Sequence, residues 1–434
     1  MPQRAALLPV SAVRATVIAE GTSGATAEGE RLTIGTAADN DLVLQDETVS
    51  RYHAELRADG AGIVVRDMGS RNGIRVGEIV VREACVPPGQ RLHLGGATVR
   101  VERAGLGQVP ILGGDSLAGI RARSPAMRRV LEQVRLLAPA SAAVLIIGES
   151  GTGKERVAQA LHELSERSGG PFVTVDCGAL SPTLLLSDLF GHERGAFTGA
   201  TSARAGAFER AHGGTLFLDE VGELPLDQQA TLLGVLERRR YRRLGGTTEH
   251  ACDVRLVAAT HRDLRGAVNA GRFRLDLYYR LAVVTLELPP LRERPEDIPL
   301  LIEEFLRQMG EPERAPLFQV PELLARLEHH SWPGNVRELR NVVEATLALG
   351  EAPPLRGAPA GPADRTERLR ADMTSGLTEG QSYGAARRAA IARFERLYLR
   401  ELMERADGNL SKASRLGQID RAHLRNLLRR HGLR

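Results

Sequence analysis

Two short stretches hold residues whose types and spacing can do phosphate chemistry. The first is Gly148-Glu149-Ser150-Gly151-Thr152-Gly153-Lys154, the pattern G-x-x-x-x-G-K, entered from the apolar run Val144-Leu145-Ile146-Ile147. Glycines at those positions let backbone N–H groups close around phosphate oxygens, and a helix beginning there adds its positive dipole end. Lys154 is placed to reach the β- and γ-phosphates. The second stretch is Asp219-Glu220, at the end of the apolar run Thr215-Leu216-Phe217-Leu218. An acidic pair at the tip of a parallel strand suits Mg²⁺ ligation by Asp219 and activation of a water by Glu220. In this order and on strand ends, the two motifs imply a nucleotide hydrolase that uses Mg²⁺, for which ATP is the expected nucleotide.

Between them runs Leu189-Phe190-Gly191-His192-Glu193-Arg194, followed by Gly195-Ala196-Phe197-Thr198-Gly199-Ala200. Two glycines four apart around an aromatic and a hydroxyl describe a flexible loop with a small apolar tip, or a surface turn whose Phe folds back on the core. The string G-A-F-T-G-A between two nucleotide motifs resembles the loop by which bacterial sigma-54-dependent activators grip the sigma factor. That resemblance implies the sigma-54 RNA polymerase holoenzyme as a partner, contacted by residues 195–200.

The elements that must position these groups alternate strand and helix after the phosphate loop, which predicts an α/β core with a parallel sheet over residues 120–288. Pro171-Phe172-Val173-Thr174-Val175 ends at Asp176, where the family resembled usually has an Asn that holds the catalytic Glu. Asp176 could do so only through a water or a shared proton, since two carboxylates repel; alternatively it caps the following segment. The run Val254–Ala259 ends at Thr260, the resemblance's sensor of the γ-phosphate, with His261 beside it. Arg274 and Arg280 lie where the family places arginine fingers that reach a neighbour's ATP. Six helical residues separate them by about 120° of rotation, so one is expected as the finger and the other as partly structural. A finger between subunits requires a ring, and a homo-hexamer is expected as the active form. A helical lid is expected over 289–349, where Trp332-Pro333-Gly334-Asn335-Val336-Arg337 resembles a second sensor with Arg337 on the phosphates and Trp332 as packing. Glu155 follows Lys154 where a general phosphate loop has Ser or Thr for the metal, so ligation is left to Asp219.

The chain has 434 residues, room for about three domains. Its 42% hydrophobic and 26% charged content describes ordinary globular material. No apolar run is long enough for a membrane span, and no secretory signal is expected. Cys85, Cys177 and Cys252 are scattered, which suggests a reducing compartment, the cytoplasm, and no zinc site.

Residues 12–103 show short strands between turn signals, the pattern of an all-β sandwich. Ile34-Gly35, Asn40–Leu44, Val49-Ser50-Arg51-Tyr52-His53-Ala54 and Gly69-Ser70-Arg71-Asn72-Gly73 resemble a forkhead-associated domain, a phosphothreonine reader. The resemblance implies that Ser50 and Arg51 contact a phosphate, Asn72 (with Ser70 beside it) the peptide, and that His53 braces the loop. A partner bearing phosphothreonine, or a Ser/Thr kinase, would then supply the input. One departure is Thr36, where the family usually has an Arg that clamps the phosphate. A Gly-rich linker is expected over 104–119, with helical spacing resuming at Ser124.

A second linker is expected over 350–383, then a helical, basic tail. Residues 384–434 hold 13 Lys or Arg against 5 Asp or Glu, a net of +8. Ile391, Phe394, Tyr398 and Leu402 recur on one helical face, and two short capped helices follow, a helix-turn-helix. Leu424, Leu427 and Leu428 point inward, leaving Arg421, His423, Arg425, Asn426 and Arg429 for double-stranded DNA. Gly408-Asn409-Leu410-Ser411-Lys412-Ala413 resembles the Fis-type module that sigma-54 activators carry at this end. The expected whole is a DNA-bound ring ATPase that opens sigma-54 promoter complexes. A silent-ATPase regulator, or a ring ATPase of another kind, fits the filled catalytic positions and the G-A-F-T-G-A string less well.

Overall fold

Alternating apolar residues fold the N-terminal quarter of the computed structural model into two sheets, six-stranded and five-stranded, antiparallel except where Arg31–Gly35 pairs parallel with Leu42–Val43. The structure describes residues 5–19, 22–59, 62–179, 181–353, 355, 399, 402–403, 406, 410–417 and 420–430. Residues 1–356 form one compact unit and residues 357–434 a second.

Leu32, Ile34, Leu56, Ile63, Val65, Leu92 and Val99 face inward between the sheets and make the sandwich core, as period-2 patterning requires. Gly35 is needed where it stands, because a Cβ there would lie 2.0 Å from the Arg51 carbonyl. The expected linker after residue 103 is in part something else. The last sandwich strand runs Ala97–Ile111 and pairs antiparallel with Ala6–Ala19, Ala6 opposite Ile111. Its partner precedes residue 12, and backbone pairing across a hundred residues leaves no mark in the local composition.

The central sheet has five parallel strands in the order Phe172–Asp176, Thr215–Asp219, Arg255–Thr260, Val144–Ile147, Val284–Glu287. Helices on both faces bury it, which is why its strands read as near-continuous apolar runs. The three middle strands end side by side, so Gly148, Asp219 and Thr260 meet at the carboxyl edge, where α/β sheets bind ligands. The lid packs helices Ile298–Met309, Pro321–Glu328 and Asn335–Leu349 around Trp332, which is fully buried with its indole N–H on the Leu327 carbonyl at 2.8 Å. Buried Asp297 ties lid to core, accepting from Ser124 N (2.7 Å) and Ser124 Oγ (2.7 Å).

In the second unit, helices Leu410–Gly417 and Arg421–Arg430 bury Ala413, Leu424 and Leu428 with Leu399 and Leu402. Ile391, Phe394 and Tyr398 lie outside the described residues, as does the side chain of His423. No helix among the described residues is long and apolar enough to cross a membrane.

Candidate active site

The phosphate loop turns from strand to helix as its glycines require: Gly151 and Gly153 have φ of +78° and +103°. Helix Lys154–Glu163 starts at the lysine itself. Lys154 is buried, its ammonium donating to the Gly148 carbonyl at 3.0 Å and lying 3.4 Å from Glu220 Oε1. Phosphate oxygens can replace these two acceptors on the ammonium.

Asp219 and Glu220 sit where the strand stops. Burial, then the neighbouring Glu220 charge, hold the Asp219 carboxyl above its usual range. A cation bound there would reverse that. Glu220 has a left-handed backbone, φ +50°, which turns its side chain across to the next strand. Its Oε2 accepts from His261 Nδ1 at 2.7 Å, from His261 N at 3.2 Å and from Thr260 Oγ1 at 3.5 Å. Burial would raise the Glu220 pKa, but the His261 hydrogen bonds and the Lys154 charge outweigh it and leave it lowered. A carboxylate kept ionised and aimed is what activating a water needs.

Asp176 takes the capping alternative. Its Oδ1 accepts from Gly178 N at 2.8 Å, and the group holding Glu220 is His261. Two neighbouring carboxylates repel, whereas an imidazole N–H can donate. His261 stood beside Thr260 in the sequence, but its reach to Glu220 depends on the pairing of two strands forty residues apart.

The lid closes over the loop. Val336 N donates to the Gly151 carbonyl at 2.9 Å, and a Cβ on Gly151 would come within 2.3 Å of the Gly334 carbonyl. Arg337 Nη1 reaches Ser150 Oγ at 3.0 Å, so its guanidinium is held at the loop. Asn335, Arg292 and Arg294 also grip this loop and were not singled out by motif. Asn335 Nδ2 donates to the Ser150 carbonyl and to Glu149 (both 3.1 Å); Arg292 pairs with Glu149 at 2.7 Å; Arg294 donates to the Thr152 carbonyl at 2.8 Å. The Arg294 guanidinium is buried enough to be pushed down to about 10. Glu155 is exposed in the first helical turn.

The two arginines of the finger segment part company. Arg274, at the start of helix Leu275–Leu281, carries an exposed fork paired, among the described residues, to neighbouring Asp276 at 2.7 Å. Arg280, at its other end, donates to the Leu236 carbonyl at 2.9 Å, capping helix Leu226–Arg238. The Gly195–Ala200 loop stands on the two-stranded ribbon Gly191–His192 and Arg204–Ala205 and closes through Gly195 N to the Ala200 carbonyl at 2.9 Å. Phe197 folds back edge-on to His192 with centroids 5.0 Å apart, the alternative that composition left open, while Thr198 stays exposed at the tip.

In the forkhead-associated-like sandwich, Ser50, Arg51, Ser70 and Asn72 come together on adjacent loops. Ser50 Oγ accepts from Arg71 N (2.9 Å), Ser70 Oγ from Gly73 N (2.9 Å), and Asn72 Nδ2 donates to the Thr48 carbonyl (2.7 Å). His53 is fully buried and braces the loops as expected: Nδ1 accepts from Ser50 N at 3.2 Å and Nε2 lies 3.0 Å from the Gly73 carbonyl. In the second unit, Arg421, Arg425, Asn426 and Arg429 are exposed on their helix.

Residues 120–287 match the family model described as Sigma-54 interaction domain, residues 292–357 the AAA+ ATPase lid domain, and residues 21–105 the Inner membrane component of T3SS, cytoplasmic domain. Transcriptional regulatory protein GlrR of Escherichia coli K12 is 46% identical over 314 residues, 72% of this chain and 67% of GlrR. The Nif-specific regulatory protein of Herbaspirillum seropedicae is 54% identical over 236 residues, 54% of this chain but 43% of the relative, so the chain spans less than half of that protein. The crystal structure of NtrX from Brucella abortus in complex with ATP is 35% identical with a TM-score of 0.50, covering 74% of this chain and 71% of NtrX. With the phosphate loop, acidic strand end and lid assembled as described, this chain belongs to the sigma-54-dependent transcriptional regulators and carries their AAA+ ATPase domain.

Proposed function

We propose that this regulator binds DNA upstream of its promoters, assembles into a hexameric ring in the cytoplasm, and uses ATP hydrolysis to remodel sigma-54 polymerase closed complexes into open ones. The observation that carries the reading is the convergence of Lys154, Asp219, Glu220, Thr260 and Arg337 at the phosphate loop, in a domain that also carries a ribbon presenting exposed Thr198. Lys154 and Arg337 would hold the phosphates, and Asp219 an Mg²⁺ shared with them, since hard cations at such sites use few protein ligands. Bound Mg²⁺ supplies charge neutralisation. Glu220 would orient the water and take its proton, and Arg274, whose fork is the more available, would serve a neighbouring subunit's nucleotide. The Gly195–Ala200 loop would contact sigma-54, the exposed face of Arg421–Arg429 would contact DNA, and the sandwich would admit a phosphothreonine signal through Ser50, Arg51, Ser70 and Asn72.

Open-complex formation in vitro tests this, with sigma-54 polymerase, ATP and Thr198→Ala beside wild type. Wild type is expected to open the promoter while Thr198→Ala hydrolyses ATP at a similar rate without opening. Equal opening by both would remove the loop from the mechanism.

A further inference from the structure

Resting on the phosphothreonine reading of the sandwich, one feature of that site lacks an owner. The second cation that clamps the phosphate is replaced by Thr36. The loop that carries Ser50 and Arg51 packs against the ATPase. Tyr52, next to Arg51, is 1% exposed and sits edge-on to Tyr278 of the ATPase at 5.7 Å, with the Arg265 guanidinium 5.2 Å from its ring centre. The Asn269 side chain accepts from Tyr52 N at 3.3 Å and donates to the carbonyls of Tyr52 and Met68. Asp39 accepts from the hydroxyls of both Tyr52 and Tyr279 at 3.0 Å. Ala37, Tyr52 and Met68 belong to the same apolar core as Leu264, Leu277 and Leu281. The reading edge is thereby fixed against helices Leu264–Asn269 and Leu275–Leu281.

At this junction lies an open groove of about 500 Å³, lined by Arg51 from the sandwich and by Arg274, Asp276, Phe273, Leu275 and Tyr279 from the ATPase. Two arginines and one carboxylate line it together with the apolar residues Phe273 and Leu275. The Arg274–Asp276 pair is about half exposed on both sides, and such pairs are weak enough to exchange for a phosphate dianion, which an arginine fork holds bidentately.

We propose that the phosphothreonine site is shared between the two domains. In the nucleotide-free chain, before its fork serves a neighbour's nucleotide, Arg274 holds the phosphate together with Arg51, taking the part of the cation absent at residue 36, and the groove's apolar floor receives a side chain flanking the phosphothreonine. Isolated from its ATPase, the sandwich is an incomplete reader.

The test is fluorescence anisotropy of the full chain without nucleotide, against labelled phosphothreonine peptides with random flanking residues and their unphosphorylated counterparts. Wild type is expected to bind only the phosphorylated set. Arg51→Ala should lose binding, and Arg274→Ala should weaken it about tenfold, the loss of one charge-assisted contact. Thr36→Arg added to Arg274→Ala should restore it, which a merely structural role of Arg274 would not allow. Arg274→Ala binding as tightly as wild type overturns the shared site and leaves the sandwich reading standing. Binding by Thr36→Arg alone, with none by wild type, also overturns the shared site, because Arg274 then fails to replace the missing clamp. No binding by any form overturns both readings.

Discussion

Replacing His261 by alanine removes the shortest hydrogen bond to the proposed base, the 2.7 Å contact from Nδ1 to Glu220 Oε2, and leaves the backbone N–H of residue 261 at 3.2 Å. The donor stabilises the charged carboxylate, so its loss favours the protonated form and moves the Glu220 pKa upward. Glu220 is 20% exposed at its side chain, and the low end of the range for a charged acceptor applies, about 1.5 kcal/mol. That corresponds to about a tenfold drop in ATPase kcat/KM on the acid side of the profile, where ionisation of the free enzyme's base limits the rate. The deficit should shrink as pH rises and Glu220 ionises without help. The assay is steady-state ATP turnover across pH for wild type, His261→Ala and His261→Asn, the last expected to recover part of the rate by donating an amide N–H. A His261→Ala deficit that is uniform in pH would refute the hydrogen bond as the source of the effect. No deficit would remove His261 from the site.

Glu220→Gln should bind ATP with near-normal affinity yet turn it over at least about a hundredfold more slowly, as loss of a general base does; wild-type turnover would exclude Glu220 as the base. Leu339→Ala, which empties a fully buried position beside Trp332 in the lid core, should lower lid stability by about 2–5 kcal/mol. Fluorescence of Trp332, the chain's one tryptophan, during denaturant unfolding reports the lid directly, and an unchanged midpoint would contradict the packing described. A chain ending at Arg356 should keep ATP hydrolysis and lose upstream DNA binding by mobility shift; undiminished DNA affinity would overturn the assignment of the second unit.

The chemistry was legible in the sequence wherever it depends on neighbours along the chain. A phosphate loop is one strand, one turn and one helix start, so Gly148–Lys154 announces itself, as do Asp219-Glu220 at the end of an apolar run and the loop at Gly195–Ala200. Short-range patterning likewise revealed the sandwich and the inward leucines of the last helix, because burial follows periods of two and of 3.6 residues. Only the tertiary structure decided which groups meet across strands and domains. His261 rather than Asp176 holds Glu220 because two parallel strands lie side by side and a carboxylate accepts from an imidazole but repels its like. Asn335, Arg292 and Arg294 reach the phosphate loop because the lid folds back over it. Strand Ala97–Ile111 outruns its expected end because its partner begins at Ala6, and Asn269 bonds to Tyr52 across 217 residues of chain. Such contacts rest on backbone pairing and packing between distant segments, which local residue order does not encode.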